Sequence, residues 1–185
     1  LSKDNTEYIK ISDSYIKTSL INDTEILLVD PEALTLLSQR AFKDVSHLLR
    51  KSHLQQLKDI LEDKDASNND HFVALTMLKN ANISSSGVLP MCQDTGTAII
   101  LGYKGEKVFT NTDDGKYLSL GVYNTYQENN LRFPQLAPFS MFGEKNTANN
   151  LPAEISLFAS EGQEYKFAFV QKGGGSANKS FLFQA

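Results

Sequence analysis

Several features that would place a chain in a large functional class are scarce here. There is one cysteine, Cys92, in 185 residues, so no disulfide can close within the chain. No stretch reaches the roughly 18 consecutive apolar residues of a membrane span. The opening Leu1-Ser2-Lys3-Asp4-Asn5 has neither the apolar core of a signal peptide nor the arginine-rich, acid-poor character of a transit peptide. Positive charge is not in excess: 18 Lys and Arg face 22 Asp and Glu, a formal net charge of −4. Neither nucleic acid nor an anionic membrane therefore has an electrostatic reason to bind. The three histidines, His47, His53 and His71, share no ligand spacing and read as helix-surface or packing residues. These features predict an intracellular protein, mitochondrial or cytoplasmic.

What is present is an ordinary globular composition, 41% apolar with 11 glycines, long enough to bury about 70% of its unfolded surface. Residues 1–29 read as a lead-in segment with β-flavoured pieces at Tyr8-Ile9-Lys10-Ile11 and Ile26-Leu27-Leu28-Val29. Asp30-Pro31-Glu32 then places a cap, a proline and an acid where a helix begins. Leu34, Leu37, Ala41, Val45, Leu48 and Leu49 give that helix one apolar face over about 31–51. A second helix is expected after Ser52, carrying Leu54, Leu57, Ile60 and Leu61. A third, capped by Asn68, Asn69 or Asp70, is apolar on several sides through Phe72, Val73, Leu75, Met77 and Leu78, which predicts a well-buried helix.

Beyond Gly87 the pattern changes to strands. Thr97–Gly102 and Glu106–Thr110 read as a hairpin around Lys104-Gly105, a unit that Asp113-Asp114-Gly115 ends. Tyr117–Glu128 has helical spacing at Leu118, Val122 and Tyr126. Ala153–Phe158 and Tyr165–Val170 read as a second hairpin through Glu161-Gly162, with Ser180–Phe183 a further strand. The fold class is therefore α+β: a helical part over about 31–82, then hairpin-connected strands with one further helix.

Three places carry residues that a plain core does not require. Pro90-Met91-Cys92-Gln93-Asp94-Thr95-Gly96 sets a thiol, an amide, a carboxylate and a hydroxyl in consecutive positions. A neighbouring carboxylate disfavours the thiolate, so Cys92 is not an obvious nucleophile; a bound metal would reverse that sign. The same residues also fit a buried cysteine beside a loop-capping aspartate. Lys172-Gly173-Gly174-Gly175-Ser176-Ala177-Asn178-Lys179 lets backbone N–H groups approach an anion. It lacks the Walker and dinucleotide patterns and fits a flexible turn equally well. Arg132, in Asn130-Leu131-Arg132-Phe133-Pro134, suits a bidentate grip on a carboxylate or an ordinary ion pair.

Gly87-Val88-Leu89-Pro90-Met91-Cys92-Gln93-Asp94-Thr95-Gly96-Thr97-Ala98 resembles the cluster-binding signature of the class I, iron–sulfur fumarate hydratases and the related tartrate dehydratases. His53–Leu57, Leu78–Ile83, Gly121–Tyr126, Ala137–Phe142, Glu144–Thr147 and Lys172–Lys179 are similar to family segments in the same order. The resemblance implies a four-iron four-sulfur cluster held by three cysteines, with one iron open as a Lewis acid, and reversible hydration of fumarate to malate. It makes Cys92 a cluster ligand, Gln93 and Asp94 substrate contacts with Asp94 a candidate acid, and Arg132 a carboxylate clamp. Gly175 would lie in a loop whose backbone meets substrate. A small dicarboxylate is the implied partner, and the complete protein is implied to be a homodimer.

The family pattern needs three cysteines where this chain has one, and the chain opens without Met and closes at Gln184-Ala185, right after the apolar Phe181-Leu182-Phe183. Residues 30–185 are therefore expected to be the N-terminal portion of the hydro-lyase domain, incomplete and inactive alone. Tartrate dehydratase is the neighbouring alternative. A non-catalytic anion-binding module that kept the glycine loop and Arg132 is the alternative from another class.

Overall fold

The computed structural model of the chain describes residues 7–174. Strands β1 (Ile16–Ile21) and β2 (Thr24–Val29) form an antiparallel hairpin. Its two-residue turn is Asn22-Asp23, both with positive φ, at 48° and 60°, the arrangement of a type I′ turn, whose twist matches the flanking strands. Of the two β-flavoured pieces in the lead-in, Ile26–Val29 lies in β2 and β1 forms between the two, while Tyr8–Ile11 is irregular. Backbone pairing elsewhere offers those residues no partner strand among the described residues.

Helix α1 (Pro31–His47) starts as its sequence dictates: the Asp30 side chain accepts from the Glu32 amide at 2.9 Å, with proline in the first turn. It stops four residues short of the expected end. Helix α2 (Lys51–Glu62) is capped by Arg50 without a side-chain bond, so Ser52 lies inside it rather than capping it. Helix α3 (Asn68–Ser84) begins one residue earlier than expected, because Ser67 and Asp70 close a reciprocal capping box.

The expectation that α3 is well buried does not hold. Only Ala74, Ala81 and Ser84 are buried in it, while Phe72 is 68% exposed and Ile83 59%. It packs along a narrow line of small residues, chiefly against α2.

Strand β3 (Thr97–Gly105) is the centre of a three-stranded sheet, flanked by β7 (Glu154–Ser160), which is parallel to it, and β8 (Tyr165–Lys172), which is antiparallel. Neither expected hairpin forms. After β3 the chain crosses into β4 (Val108–Phe109), which extends the first sheet by pairing in parallel with β2. Strands β7 and β8 are held two strand spacings apart, about 9.5 Å, because β3 lies between them. Their connection passes over the end of β3, where the Gly105 amide donates to Glu164 and the Lys107 amide to Gly162. A Cβ on Gly105 would stand 2.4 Å from the Gly162 carbonyl. A short hairpin, β5 (Leu136–Pro138) with β6 (Glu144–Asn146), completes the strands.

Helix α4 (Asp114–Glu128) confirms the helical reading of 117–128. Asp113-Asp114-Gly115 opens this helix: the Asp113 carboxylate accepts from the Lys116 amide, and Asp114 is its first residue. Leu118, Val122 and Tyr126 recur every four residues on one face, opposite Leu34, Ser38 and Phe42 of α1. Together with Ala98, Ile100 and Leu131 they form the core, and Phe42 meets Phe169 of β8 edge to face at 5.5 Å. The two helices approach closely at Gly121, where a Cβ would lie 2.5 Å from the Thr35 carbonyl and 2.6 Å from Ser38 Cβ. That closeness lets Thr35, Ser38 and Thr125 donate across the crossing, to the carbonyls of Tyr117, Leu118 and Gln39.

One polar group enters this core with its partners. Lys104 faces the helices from β3 and donates to Thr110 and to the buried Asp114 carboxylate, both at 2.7 Å. Thr110 and Tyr165 also donate to Asp114. A buried carboxylate requires such a set. Burial, and then the Asp114 charge that it faces, push the Tyr165 phenol above the ordinary value of 10.0.

Gly121→Ala should destabilise the chain by about 1–3 kcal/mol in urea unfolding, since the clash outweighs the better helix propensity of alanine, about 1 kcal/mol. Between its unfolded and folded pKa values Tyr165 is protonated only in the folded chain, so the unfolded chain binds fewer protons there. Stability should fall as pH rises above about 10, and Tyr165→Phe should flatten part of that fall when the urea midpoint is followed against pH.

Candidate active site

The segment after α3 reaches β3 through Pro90–Gly96, and its fixed points lie at its two ends. At the near end the Met91 amide donates to the Ser46 carbonyl at 2.9 Å, and Asn80 of α3 donates to the Met91 carbonyl at 2.7 Å. At the far end Thr95 is buried, and its hydroxyl donates to the Arg132 carbonyl at 2.8 Å. Gly96 turns with φ +63, a region that favours glycine, and packs against Lys172 so tightly that a Cβ would lie 2.5 Å from its carbonyl carbon. Between these anchors Cys92, Gln93 and Asp94 are exposed.

Cys92 therefore is not the buried small hydrophobe that its sequence also allowed. Asp94 does act as a loop cap, and across two loops: one carboxylate oxygen accepts from the Gly96 amide at 3.2 Å, the other from the Gly174 amide at 2.8 Å. Gly173 makes room for this, because a Cβ there would stand 2.7 Å from Asp94 Oδ2. The cysteine loop and the start of the glycine loop are thus joined through one side chain. Both border a cleft of about 330 Å³, lined among the described residues by Ser46, Met91, Cys92, Asp94, Gln171 and Gly173 together with Val45, Pro90 and Thr95.

Arg132 joins the arrangement through its backbone, while its side chain is exposed and is not among those lining residues. Gln93 is exposed between two lining residues. Gly175, expected in the substrate loop, and the strand expected at Ser180–Phe183 lie outside the described residues. His47 is buried, its Nδ1 2.7 Å from the Lys43 carbonyl, and His53 is exposed on α2, in keeping with packing and surface roles.

Sequence reasoning missed the polar layer beneath the loop. Tyr126 is 1% exposed, and its hydroxyl donates to the Thr95 carbonyl at 2.7 Å and lies 3.2 Å from that of Gly96. Gln171 Nε2 donates to the same hydroxyl at 3.2 Å and to Ser46 Oγ at 2.8 Å. The fully buried Asn150 donates to the Gly96 carbonyl at 3.0 Å. Burial is the main cause holding the Tyr126 phenol above its ordinary value, with the Asp94 charge adding to it. A signal for two of these residues was present. Gln171 continues the core-facing alternation of Tyr165, Phe167 and Phe169, and Ser46 continues the buried face of Leu34, Ser38 and Phe42. A polar residue at the end of an inward-facing series marks a site where a buried donor is needed.

The sequence model of the fumarate hydratase (Fumerase) family matches residues 35–185. The chain is 54% identical over 184 residues to "Fumarate hydratase class I, aerobic" of Escherichia coli (strain K12), covering 100% of the chain and 34% of that protein. It is 62% identical over 160 residues to "Fumarate hydratase 1, mitochondrial" of Leishmania major, covering 86% and 29%. With "Fumarate hydratase 2" of the same organism it shares 50% over 181 residues, covering 97% and 32%. The chain spans about a third of the length of these curated relatives. Since the match takes in the cysteine loop, the glycine loop and the helices that support both, the chain belongs to the fumarate hydratase (Fumerase) family.

Proposed function

We propose that this chain forms one wall of the active site of an iron–sulfur fumarate hydratase, a hydro-lyase that adds water reversibly across the double bond of fumarate to give malate. The observation that carries the reading is the Asp94 clasp, which joins the loop of the exposed cysteine to the start of the glycine loop at one cleft. The donor set fits one corner of a four-iron four-sulfur cluster. Cys92 is exposed on a loop anchored at both ends, as a thiolate ligand must be to meet metal. Among the described residues no group of three or more His, Cys, Asp and Glu could hold a metal ion, and the chain has one cysteine. The other two ligands therefore come from elsewhere in the complete polypeptide. When bound, the cluster supplies a Lewis acid for the hydroxyl that is added or removed.

The chain's own residues bind and orient. A dicarboxylate dianion suits the exposed guanidinium of Arg132, which can grip a carboxylate through two parallel hydrogen bonds. Gln93 supplies a neutral donor beside the ligand cysteine, and the glycine loop, Gly175 included, supplies backbone amides. Asp94 is the candidate group for moving a proton at the carbon next to the hydroxyl. Each of its oxygens holds one backbone N–H and retains a further lone pair, so a bond toward the cleft is compatible with the clasp. No redox change accompanies the addition of water. A mitochondrial or cytoplasmic location is part of this reading, and the name of one relative, "Fumarate hydratase 1, mitochondrial", supports the first of the two. No helix among the described residues is long and apolar enough to cross a membrane. The resemblance to the family further implies that the complete protein is a homodimer.

The test uses the complete polypeptide, purified anaerobically and loaded with iron and sulfide, with fumarate loss followed by absorbance and tartrate as the competing substrate. Hydration of fumarate should be faster than dehydration of tartrate; dehydration of tartrate alone would overturn the assignment. Cys92→Ser should lose the cluster absorbance and the hydration activity together. Arg132→Lys keeps the charge and loses the fork, and should raise KM for fumarate by roughly 10- to 100-fold, the worth of a charge-assisted hydrogen bond.

A further inference from the structure

The hydrogen bonds around the cleft close into a ring. From Ser46 the backbone leads through Met91 to the exposed Cys92–Asp94 and on to Thr95, whose carbonyl accepts from Tyr126 at 2.7 Å. Tyr126 accepts from Gln171, and Gln171 donates back to Ser46. Every donor is used once in a consistent direction. The two amide hydrogens of Gln171 serve Ser46 and Tyr126, the single Tyr126 proton serves the loop, and the Ser46 hydroxyl donates to the Phe42 carbonyl at 2.6 Å. From β8, Gln171 bonds at once to Ser46 of α1 and to Tyr126 of α4.

We infer that Gln171 is a positioning residue for the Cys92–Asp94 segment, acting by supplying both hydrogens of its amide and so leaving the Tyr126 proton for the loop. Its bearing on cluster and substrate rests on the fumarate hydratase reading above. A carboxylate at 171 has the same shape but only accepts. It would draw the Tyr126 proton away from Thr95, because a charged acceptor binds about twice as strongly as a neutral one. Methionine at 171 loses both donations and leaves Tyr126 free to hold Thr95. The donor role therefore ranks Gln171→Glu as worse for the loop than Gln171→Met, whereas simple space filling ranks the isosteric change as no worse.

The complete polypeptide carries the test, with Gln171→Met, Gln171→Glu, Tyr126→Phe and the Gln171→Glu/Tyr126→Phe pair. Amide hydrogen exchange over residues 91–96 in the apoprotein reads the loop without any cluster. Gln171→Glu and Tyr126→Phe should each speed it about tenfold, and Gln171→Met should do so less. The double variant should add nothing to Tyr126→Phe, because no phenol proton is left to divert. In loaded protein the same variants should raise KM for fumarate more than they lower kcat. Exchange unchanged in Gln171→Glu, or an additive double variant, overturns the inference. Should Gln171→Glu fail to fold, Tyr126→Phe with unchanged exchange overturns it alone. If wild-type protein neither holds iron nor hydrates fumarate while exchange responds as stated, the functional reading fails and the positioning role stands.

Discussion

An exposed tripeptide holds one conformation only if its ends are fixed by groups that do not move, and Cys92-Gln93-Asp94 is such a tripeptide. Its backbone lacks a strand partner and all three residues are exposed, so most of the free energy that orders it comes from its neighbours. Met91 is held by Ser46 and Asn80; Thr95 and Gly96 are held by Tyr126, Arg132 and Asn150. Apart from the exposed Asn80 bond, each joins groups of which at least one is buried, where breaking it costs the full desolvation of what is left behind, about 1–3 kcal/mol. Asp94 then extends the order outward by fixing the start of the glycine loop. The rigidity of the site is thus borrowed from the core.

The helices were legible because their signals are local. The cap at Asp30, the proline after it and the four-residue recurrence of Leu118, Val122 and Tyr126 each specify a turn of helix from residues in contact with one another. The pairing of strands was not, for a reason visible in β3. Its neighbours come from residues 154–172, more than fifty positions later. A short link such as Glu161-Gly162 between two alternating runs has the same appearance whether the runs pair or straddle a third strand. Two runs of alternating pattern fix which face is buried and leave the partner open. The first hairpin was legible in principle, since Asn22 and Asp23 are residue types that tolerate positive φ.

The site was legible in its exposed half and hidden in its buried half. Cys92, Asp94 and the glycine loop draw attention because no core needs them, and the structure does bring Cys92, Asp94 and Gly173 to one cleft. Tyr126, Ser46 and Gln171 sit within patterns that read as core, and their meaning depends on which polar atoms lie opposite, which no single segment states. The misreading of α3 has the same root. Apolar residues on several sides of a helix predict burial, but burial is a property of what packs against it, and in α3 only Ala74, Ala81 and Ser84 are covered.

The crossing of α1 and α4 connects stability with the site. Gly121 sets how close the two helices come, and the same helices carry Ser46 and Tyr126, the two groups that a single Gln171 amide must reach at once. That amide spans 2.8 Å on one side and 3.2 Å on the other, so the longer bond is already near the limit of useful geometry. A helix separation greater by half an ångström would leave Gln171 able to satisfy one partner but not both, and the ring around the cysteine loop would open. The small residues along the crossing, Thr35, Ser38 and Gly121, therefore do more than exclude water. They hold α1 and α4 at the distance at which one side chain can close the frame of the site.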